Sequence, residues 1–525
     1  MRVSMKKSVI IHPILFAAYP IFFLYSKNME FISIKEVVLP IFFSILVSFF
    51  LWTLVTLIIK NGQRGGLIVS SFLFFFFSFG YFLKMSIPTF SYLLNSGIGP
   101  RTMFSLIWGL LFLVSVYLLL KIKKNLPVMN KFMNIFSVLM VILILLTIGL
   151  RQIRTGSNAS DTKTPTGPNQ GEVGLKEKGI LPNIYYIILD GYGRSDVLKE
   201  IYQFDNRNFL DYLNQKGFYV AEKSRANYAQ TLLSLASSLN LRYLGRQDDL
   251  NPQTDDHRPL VKMIQHNQVI RFLKQFGYVS VGFVPNIKEL EMLEFDFTIK
   301  DQFGLSEFQI ALTEITPIYI FFNIYTKAYN PFQNHRERII YLFDHLGKIS
   351  RRIKSPAFVY AHILIPHPPF VFGPKGEEVP THMGFSQSLG DGSSFIEAGG
   401  SREEYLHNYK NQAVFATKKI QETLDRILSN TTRPAVIILQ ADHGPGSGLD
   451  WRNPAHTNFK ERLSILNAYY FPRHTDYPYL YDSISPVNSF RILFNLYFNT
   501  HFELLQDESF FSTWDRPYQF IPVRP

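Results

Sequence analysis

The sequence contains no cysteine, which removes disulfide staples, thiolate metal sites and cysteine nucleophiles together. Charge is also scarce: Asp, Glu, Lys and Arg make up 18% of the chain, below the usual quarter of soluble proteins. The shortfall sits in the N-terminal part, which holds long stretches without a single charged side chain. A dense Lys/Arg face with interleaved aromatic residues is missing as well. The excess of 53 basic over 41 acidic residues therefore points to anionic lipid and a membrane, and no nucleic acid partner is expected. At 525 residues the chain is too long for one ordinary domain, so two parts are expected.

What fills the charge-poor part is a series of uncharged apolar runs, from Val9 to Tyr25, Val37 to Ile59, Gly66 to Leu83, Met103 to Leu120 and Phe132 to Leu150. Each approaches the roughly 20 residues needed to cross ~30 Å of hydrocarbon as a helix, and in a bilayer such segments must be helical to satisfy their backbone groups. About five spans are expected. The first run follows Lys6 and Lys7 and ends in Phe-Phe-Leu-Tyr without a small-residue cleavage site, so it is read as a retained anchor. One side of the series collects Arg2, Lys6, Lys7, Lys60, Arg64, Lys121, Lys123, Lys124 and Lys131; the other has only Lys27, Lys35, Lys84 and Arg101. The richer side is expected to be cytoplasmic. An odd number of spans then places everything after Leu150 outside the cytoplasmic membrane of the cell.

From Arg151 to Gly179 the composition changes to Gly, Ser, Thr, Pro, Asn and Lys without apolar periodicity, the pattern of a flexible tether. It contains Asn158-Ala159-Ser160, a glycosylation-type triplet that is common by chance. The expected organisation is a transmembrane helical domain over 1–150, a linker over 151–180 and an extracytoplasmic catalytic domain over 181–525.

Beyond the tether, short β-rich apolar runs recur: Asn183 to Leu189, Tyr278 to Val284, Ala357 to Ile363, Ala435 to Gln440 and Ser464 to Tyr470. Their continuous rather than alternating apolar character predicts strands buried on both faces, hence an α/β domain with a mainly parallel sheet flanked by helices. Sites in such sheets lie at the carboxyl ends of strands. The first run ends in Asp190-Gly191-Tyr192-Gly193-Arg194, where a carboxylate beside flexible glycines suits a hard divalent cation but also suits a helix cap. Another ends in Ala441-Asp442-His443-Gly444-Pro445-Gly446, offering an oxygen and an imidazole nitrogen to one metal. Between them, Asn227 to Ser238 reads as a polar loop entering a small-residue helix. Thr231 at its start is either an N-cap or a hydroxyl nucleophile, with Ser234 its nearest rival.

The order Asp190, then Thr231 at a helix start, then Asp442-His443-Gly444 resembles the alkaline phosphatase and sulfatase superfamily. With the spans in front, the chain resembles its membrane-bound branch of lipoteichoic acid synthases and phosphoethanolamine transferases. The resemblance implies an α/β/α sandwich of alkaline phosphatase type behind the helical transmembrane bundle. It also implies one divalent metal ion, manganese or zinc first and magnesium or calcium as alternatives, held by Asp190, Thr231, Asp442 and His443. Thr231 would be the phosphoryl-accepting nucleophile. Two departures matter. Gly191 stands where two-acid members carry a second acidic residue, which favours a single metal. Without a cysteine, or a serine in the sulfatase context near Thr231, the usual group for sulfate ester hydrolysis is missing.

A further cluster, Ala361 to Phe370, carries His362 and His367. His367, in a His-Pro-Pro loop, resembles the family's histidine for substrate phosphate or leaving group; as a bland alternative it is a turn histidine fixed by prolines. His362 is read as buried on the strand. His456 is a candidate for a further metal ligand or a substrate contact, and Arg194 for substrate contact. The resulting expectation is a membrane-anchored transferase that moves a phosphoglycerol or phosphoethanolamine head group from a phospholipid donor to a glycan or lipid acceptor. The alternatives are an extracytoplasmic hydrolase of phosphodiesters or sulfate esters, and a non-catalytic membrane platform with the same fold.

Overall fold

The computed structural model describes residues 9–28, 34–93, 100–157, 180–245, 250–283, 295–299, 307–318, 330–351, 353, 355–430, 433–472 and 479–524. The Asn158 triplet and residues 158–179 of the expected tether lie outside the described residues, whereas its first residues, 151–157, continue the helix Leu126–Ser157. By its contacts the chain forms two units, one of Met1–Lys163 with Leu305–Tyr329 and one of Thr164–Gly304 with Asn330–Pro525.

The first unit is a helical bundle of α1 (His12–Asn28), α2 (Ile34–Ile59), α3 (Gly62–Leu93), α4 (Pro100–Lys121) and α5 (Leu126–Ser157). Among the described residues, four helices are long and apolar enough to cross a membrane, at Glu36–Ile59, Gly62–Ser86, Thr102–Lys121 and Leu126–Leu150. The first expected span is present as α1, whose 17 residues stand at the lower end of the length that crosses hydrocarbon. Phe42, Phe50, Leu110, Val114 and Leu143 stand exposed on these helices, as apolar side chains do where lipid is the solvent. At the start of α1, where helix amides lack intrahelical partners, Asn134 Oδ1 accepts from the amides of Ile11 and His12 at 3.0 and 3.1 Å. The buried His12 ring joins Ser70 Oγ at 2.6 Å and Asn130 Oδ1 at 2.9 Å.

The bundle also takes in a segment from far along the chain. The helix Glu307–Glu314 contributes Phe308 and Leu312, which pack with Ile21, Tyr25 and Val37. Gly80 of α3 donates its amide to Ile315 O at 3.0 Å. A Cβ on Gly80 would lie 2.1 Å from Glu314 O, so only glycine allows this approach.

The second unit is built on a seven-stranded sheet of order β2-β7-β6-β1-β5-β3-β4. Its strands are β1 (Asn183–Leu189), β2 (Tyr219–Val220), β3 (Val279–Phe283), β4 (Phe297–Ile299), β5 (Ala357–Ile363), β6 (Ala435–Gln440) and β7 (Asn467–Tyr470). From β6 to β4 all pairs are parallel, whereas β7 runs antiparallel to both β6 and β2. Every residue of β1, β5 and β6 is buried, which explains their unbroken apolar sequences. Alternate residues feed two cores. Tyr185, Ile187 and Leu189 join the face covered by the helices Pro331–Leu346 and Arg402–Asn430. Ile184, Tyr186 and Ile188 join the face covered by Thr231–Ser238 and Pro486–Tyr497. The result is the expected sheet between two helical layers. A separate hairpin, β8 (Phe510–Thr513) with β9 (Arg516–Pro522), completes the described strands.

Candidate metal centre and nucleophile

Strands β6, β1 and β5 are neighbours in parallel, so the residues that follow each of them emerge at one edge of the sheet. Asp190 follows β1, Asp442 and His443 follow β6, and His367 follows β5. Because β7 is antiparallel, the residues that precede it, Glu461 to Leu466, reach the same edge. The Thr231–Ser238 helix begins there as well, with an extended N-cap at Gln230 that makes no side-chain cap bond.

His443 is the hub. Its Nδ1 donates to Gly444 O at 2.9 Å, which leaves Nε2 as the lone-pair nitrogen. Around Nε2 lie Thr231 Oγ1 at 3.1 Å, Asp442 Oδ2 at 3.3 Å and Asp190 Oδ1 at 3.6 Å. Burial, aided by the nearby Arg462 cation, lowers the His443 pKa and favours the neutral, ligating imidazole. The structure thus brings together all four residues expected to hold a metal.

The other carboxylate oxygens are already held. Asp190 Oδ2 accepts from His362 Nε2 at 2.9 Å, and Asp442 Oδ1 accepts from the Gly191 amide at 3.2 Å. Burial would raise the Asp190 pKa, but the nearby His367 and then the hydrogen bond from His362 outweigh it and hold the carboxyl well below the usual range. Asp190 Oδ1 and Asp442 Oδ2, the two oxygens turned toward His443, are buried and have no hydrogen-bond partner. Buried carboxylate oxygens left so are costly. Two orphaned oxygens beside an imidazole lone pair and a hydroxyl are a donor set that fits a divalent cation. Ligand atoms of Asp190, His367 and His443 lie within 4.8 Å of one another, as do those of Asp190, His362 and Asp442.

His367 is held on both sides of its ring. Its amide donates to Asp190 O at 3.1 Å and its Nδ1 to Pro368 O at 2.6 Å, and its Nε2 lies 3.7 Å from Asp391 Oδ2. Burial works against its charged form, yet the Asp190 and Asp391 carboxylates prevail and raise its pKa.

Ser234 is turned away from the cluster. Its hydroxyl donates to Tyr228 O at 3.0 Å and Asp442 O at 2.8 Å, bracing the loop that carries Asp442. Two other expected contacts are not brought into the cluster. His456 lies in an exposed 3-10 turn, its ring 3.5 Å from Asp450 and 3.3 Å from the Asn453 amide nitrogen. The Arg194 guanidinium is engaged by both oxygens of Asp196, at 2.8 and 2.9 Å, and by Ser224 O. Closeness along the chain to a ligand residue does not carry either side chain to the metal group.

Two residues at the centre were not anticipated. Asp391, buried in a Gly-Asp-Gly loop, accepts from Tyr405 OH at 2.6 Å and from Arg462 Nη1. Arg462, 2% exposed, also donates to Ala229 O at 2.8 Å and Gly444 O at 3.0 Å. One guanidinium therefore ties the loop before Thr231, the loop after His443 and the carboxylate beside His367. Nothing periodic marks either residue in the sequence, where Asp391 stands among Gly and Ser and Arg462 directly follows Lys460 and Glu461.

This edge geometry can be set beside known proteins. The chain is similar to solved structures of phosphoethanolamine transferases, a phosphonate monoester hydrolase and a 2-O GAG sulfatase. The zinc complex of the C-terminal periplasmic domain of EcEptC from Escherichia coli matches at 11% identity and TM-score 0.44, covering 68% of this chain and 96% of that one. The integral membrane lipooligosaccharide phosphoethanolamine transferase A from Neisseria meningitidis matches at 12% identity and TM-score 0.39, covering 91% and 92%. The phosphonate monoester hydrolase of Agrobacterium radiobacter matches at 14% and 0.40, covering 63% and 80%. No protein-family model and no curated protein matches the chain.

Proposed function

We propose that the chain is a metal-dependent phosphoryl-group transferase. In this reading it moves a phosphoglycerol or phosphoethanolamine head group from a phospholipid to an extracytoplasmic glycan or lipid through a phospho-Thr231 intermediate. Residues 181–525 are the catalytic domain, and the N-terminal helices are its multi-pass anchor in the cytoplasmic membrane, oriented by their basic ends. The observation that carries this reading is the 3.1 Å approach of Thr231 Oγ1 to His443 Nε2, beside two buried carboxylate oxygens with no partner.

A bound divalent cation supplies positive charge that makes a nearby hydroxyl a better nucleophile and offsets charge on phosphoryl oxygens. Asp190, Asp442, His443 and Thr231 are the residues that would hold it. Thr231, its hydroxyl proton released to solvent, forms the bond from Oγ1 to phosphorus as the bond from phosphorus to the lipid alcohol breaks. His367, its Nδ1 donating to the Pro368 carbonyl, gives that alcohol its proton from Nε2. In the second step an acceptor hydroxyl gives its proton to the now neutral His367 and attacks the phospho-Thr, and Thr231 Oγ1 leaves and takes a proton back from solvent. Anchoring raises the effective concentration of a lipid donor at the site.

Peptide mass spectrometry after incubation with phospholipid tests this directly. A phosphorylated adduct is expected on Thr231 and absent in Thr231→Ala; an adduct on another residue would overturn the assignment. Label that appears on a glycan or lipid supports transfer, and release of free head group alone supports hydrolysis.

A further inference from the structure

The bundle holds a piece of chain that lies, in sequence, inside the catalytic unit. Leu305–Tyr329, between β4 and the helix Pro331–Leu346, group by their contacts with the N-terminal helices. Phe308 and Leu312 of the Glu307–Glu314 helix stand one turn apart on one face. They pack with Ile21 and Tyr25 of α1, Val37 of α2 and Ile148 of α5, and Phe308 is left 1% exposed. Ile315 is buried as well, its carbonyl accepts from the Gly80 amide, and Glu314 pairs with Lys84 at 3.6 Å.

These contacts lie at one end of the bundle. Ile21 and Tyr25 are in the second half of α1, Val37 at the start of α2, Gly80 and Lys84 in the second half of α3, and Ile148 toward the end of α5. Lys60, Arg64 and Lys121 mark the opposite end, and the chain leaves α5 for the catalytic unit at the end where the segment sits. The segment therefore reaches its seat without crossing the bilayer. The uncharged run that it opens, Ile315 to Thr326, is too short to span hydrocarbon and has the length of a re-entrant segment. Apolar surface alone holds nothing together in lipid, where close packing and interhelical hydrogen bonds supply the attraction. Gly80 provides both, because only a residue without Cβ lets Ile315 O, a carbonyl just past a helix end, come within 3.0 Å of its amide.

We propose that Glu307–Ile318 is a re-entrant anchor: a part of the catalytic domain's own chain that plugs into the extracytoplasmic end of the bundle and holds that domain at the membrane independently of residues 158–179. The half-exposed Lys84 sets the depth of the seat, since a lysine near the end of a span keeps its ammonium at the polar boundary of the bilayer. The catalytic domain is then attached at two places in its sequence, and severing one leaves the other. Nothing in this inference depends on the chemistry at Thr231.

The test uses the full-length protein in lipid nanodiscs, with a specific protease site placed within residues 158–179. After cleavage, chromatography in high salt, which screens surface charge pairs, should leave nearly all of the C-terminal fragment on the nanodisc. Gly80→Leu suits a helix and leaves the segment's own sequence intact, yet is expected to release most of the fragment. Phe308→Asp combined with Leu312→Asp is expected to release it from the other side of the contact. A thiol pair gives a direct readout in a chain that has no cysteine. Lys84→Cys with Glu314→Cys should let a short bis-maleimide join the two fragments on a denaturing gel, and adding Gly80→Leu should remove that band. Release of the wild-type fragment on cleavage, retention in both sets of variants, or absence of the cross-linked band would overturn the proposal. The phospho-Thr adduct plays no part in these readouts, so the two proposals fail separately.

Discussion

Gly191 donates its backbone amide to Asp442 Oδ1 at 3.2 Å, so the residue that follows one carboxylate of the cluster orients the other. Its φ of +71° lies in the left-handed region. A Cβ there would stand in ordinary contact, 3.7 Å from His367 Cβ, so Gly191→Ala tests conformation rather than space. The variant is expected to lose about 1–2 kcal/mol and to retain less metal, read by thermal melting with elemental analysis. An unchanged melting temperature would show that the turn does not need this conformation. The same strain argues against a second acidic ligand at this position.

His362 is fully buried on β5 and donates to Asp190 Oδ2. It orients the carboxylate, whose Oδ1 is left without a partner. Residues in this supporting role typically change metal affinity by about 10–100-fold when removed. That loss is expected for His362→Phe in equilibrium dialysis against zinc or manganese. Equal affinity in the variant would remove His362 from the site.

The parts of this arrangement that were legible in the sequence share a physical cause. Strands β1, β5 and β6 are buried on both faces, so their apolar runs begin and end where the strands do, and Asp190 and Asp442-His443 stand out as the first polar residues beyond them. Strands β2 and β4, of two and three residues, are too short to leave a pattern. The last expected strand starts at Asn467 rather than Ser464, because Ser464 and Ile465 instead form isolated bridges to Arg225 and Gly193. The Arg462–Asp391 pair spans 71 residues, and neither local periodicity nor motif spacing links positions so far apart. His456 is near Asp442 along the chain, but it lies in an exposed turn beside Asp450 and not among the ligand atoms around His443.

The Asp391–Arg462 pair is buried, with exposures of 6% and 2%. Breaking such a pair from one side leaves an uncompensated charge and typically costs about 3–5 kcal/mol. Asp391→Asn is therefore expected to melt well below the wild type at neutral pH. The acid limb gives a second readout. Burial would raise the Asp391 carboxyl, but the Arg462 cation and then His367 hold it below the ordinary carboxylate range. A depressed folded pKa contributes stability above the unfolded value of roughly 4, and that contribution is lost as pH falls through the folded value. Melting temperature below about pH 4 should fall less steeply in Asp391→Asn than in the wild type; parallel curves would exclude the pairing.

Two hydroxyls lie one helical turn apart at the nucleophile helix, and their bonding separates them. Thr231 Oγ1 faces His443 Nε2, whereas Ser234 Oγ is shared between the carbonyls of Tyr228 and Asp442. Thr231→Ser keeps an oxygen at the cluster, so phosphorylation at position 231 should persist in mass spectra after incubation with phospholipid. Ser234→Ala removes a buried donor and leaves two carbonyls short of a partner, at a cost of about 1–3 kcal/mol. It should lower the melting temperature while the adduct still forms on Thr231. His456→Ala, at an exposed turn, is expected to shift stability by less than about 0.5 kcal/mol and to leave the adduct intact. If Ser234→Ala abolishes the adduct while Thr231→Ala preserves it, the attacking oxygen belongs to Ser234 and the helix must turn to present it.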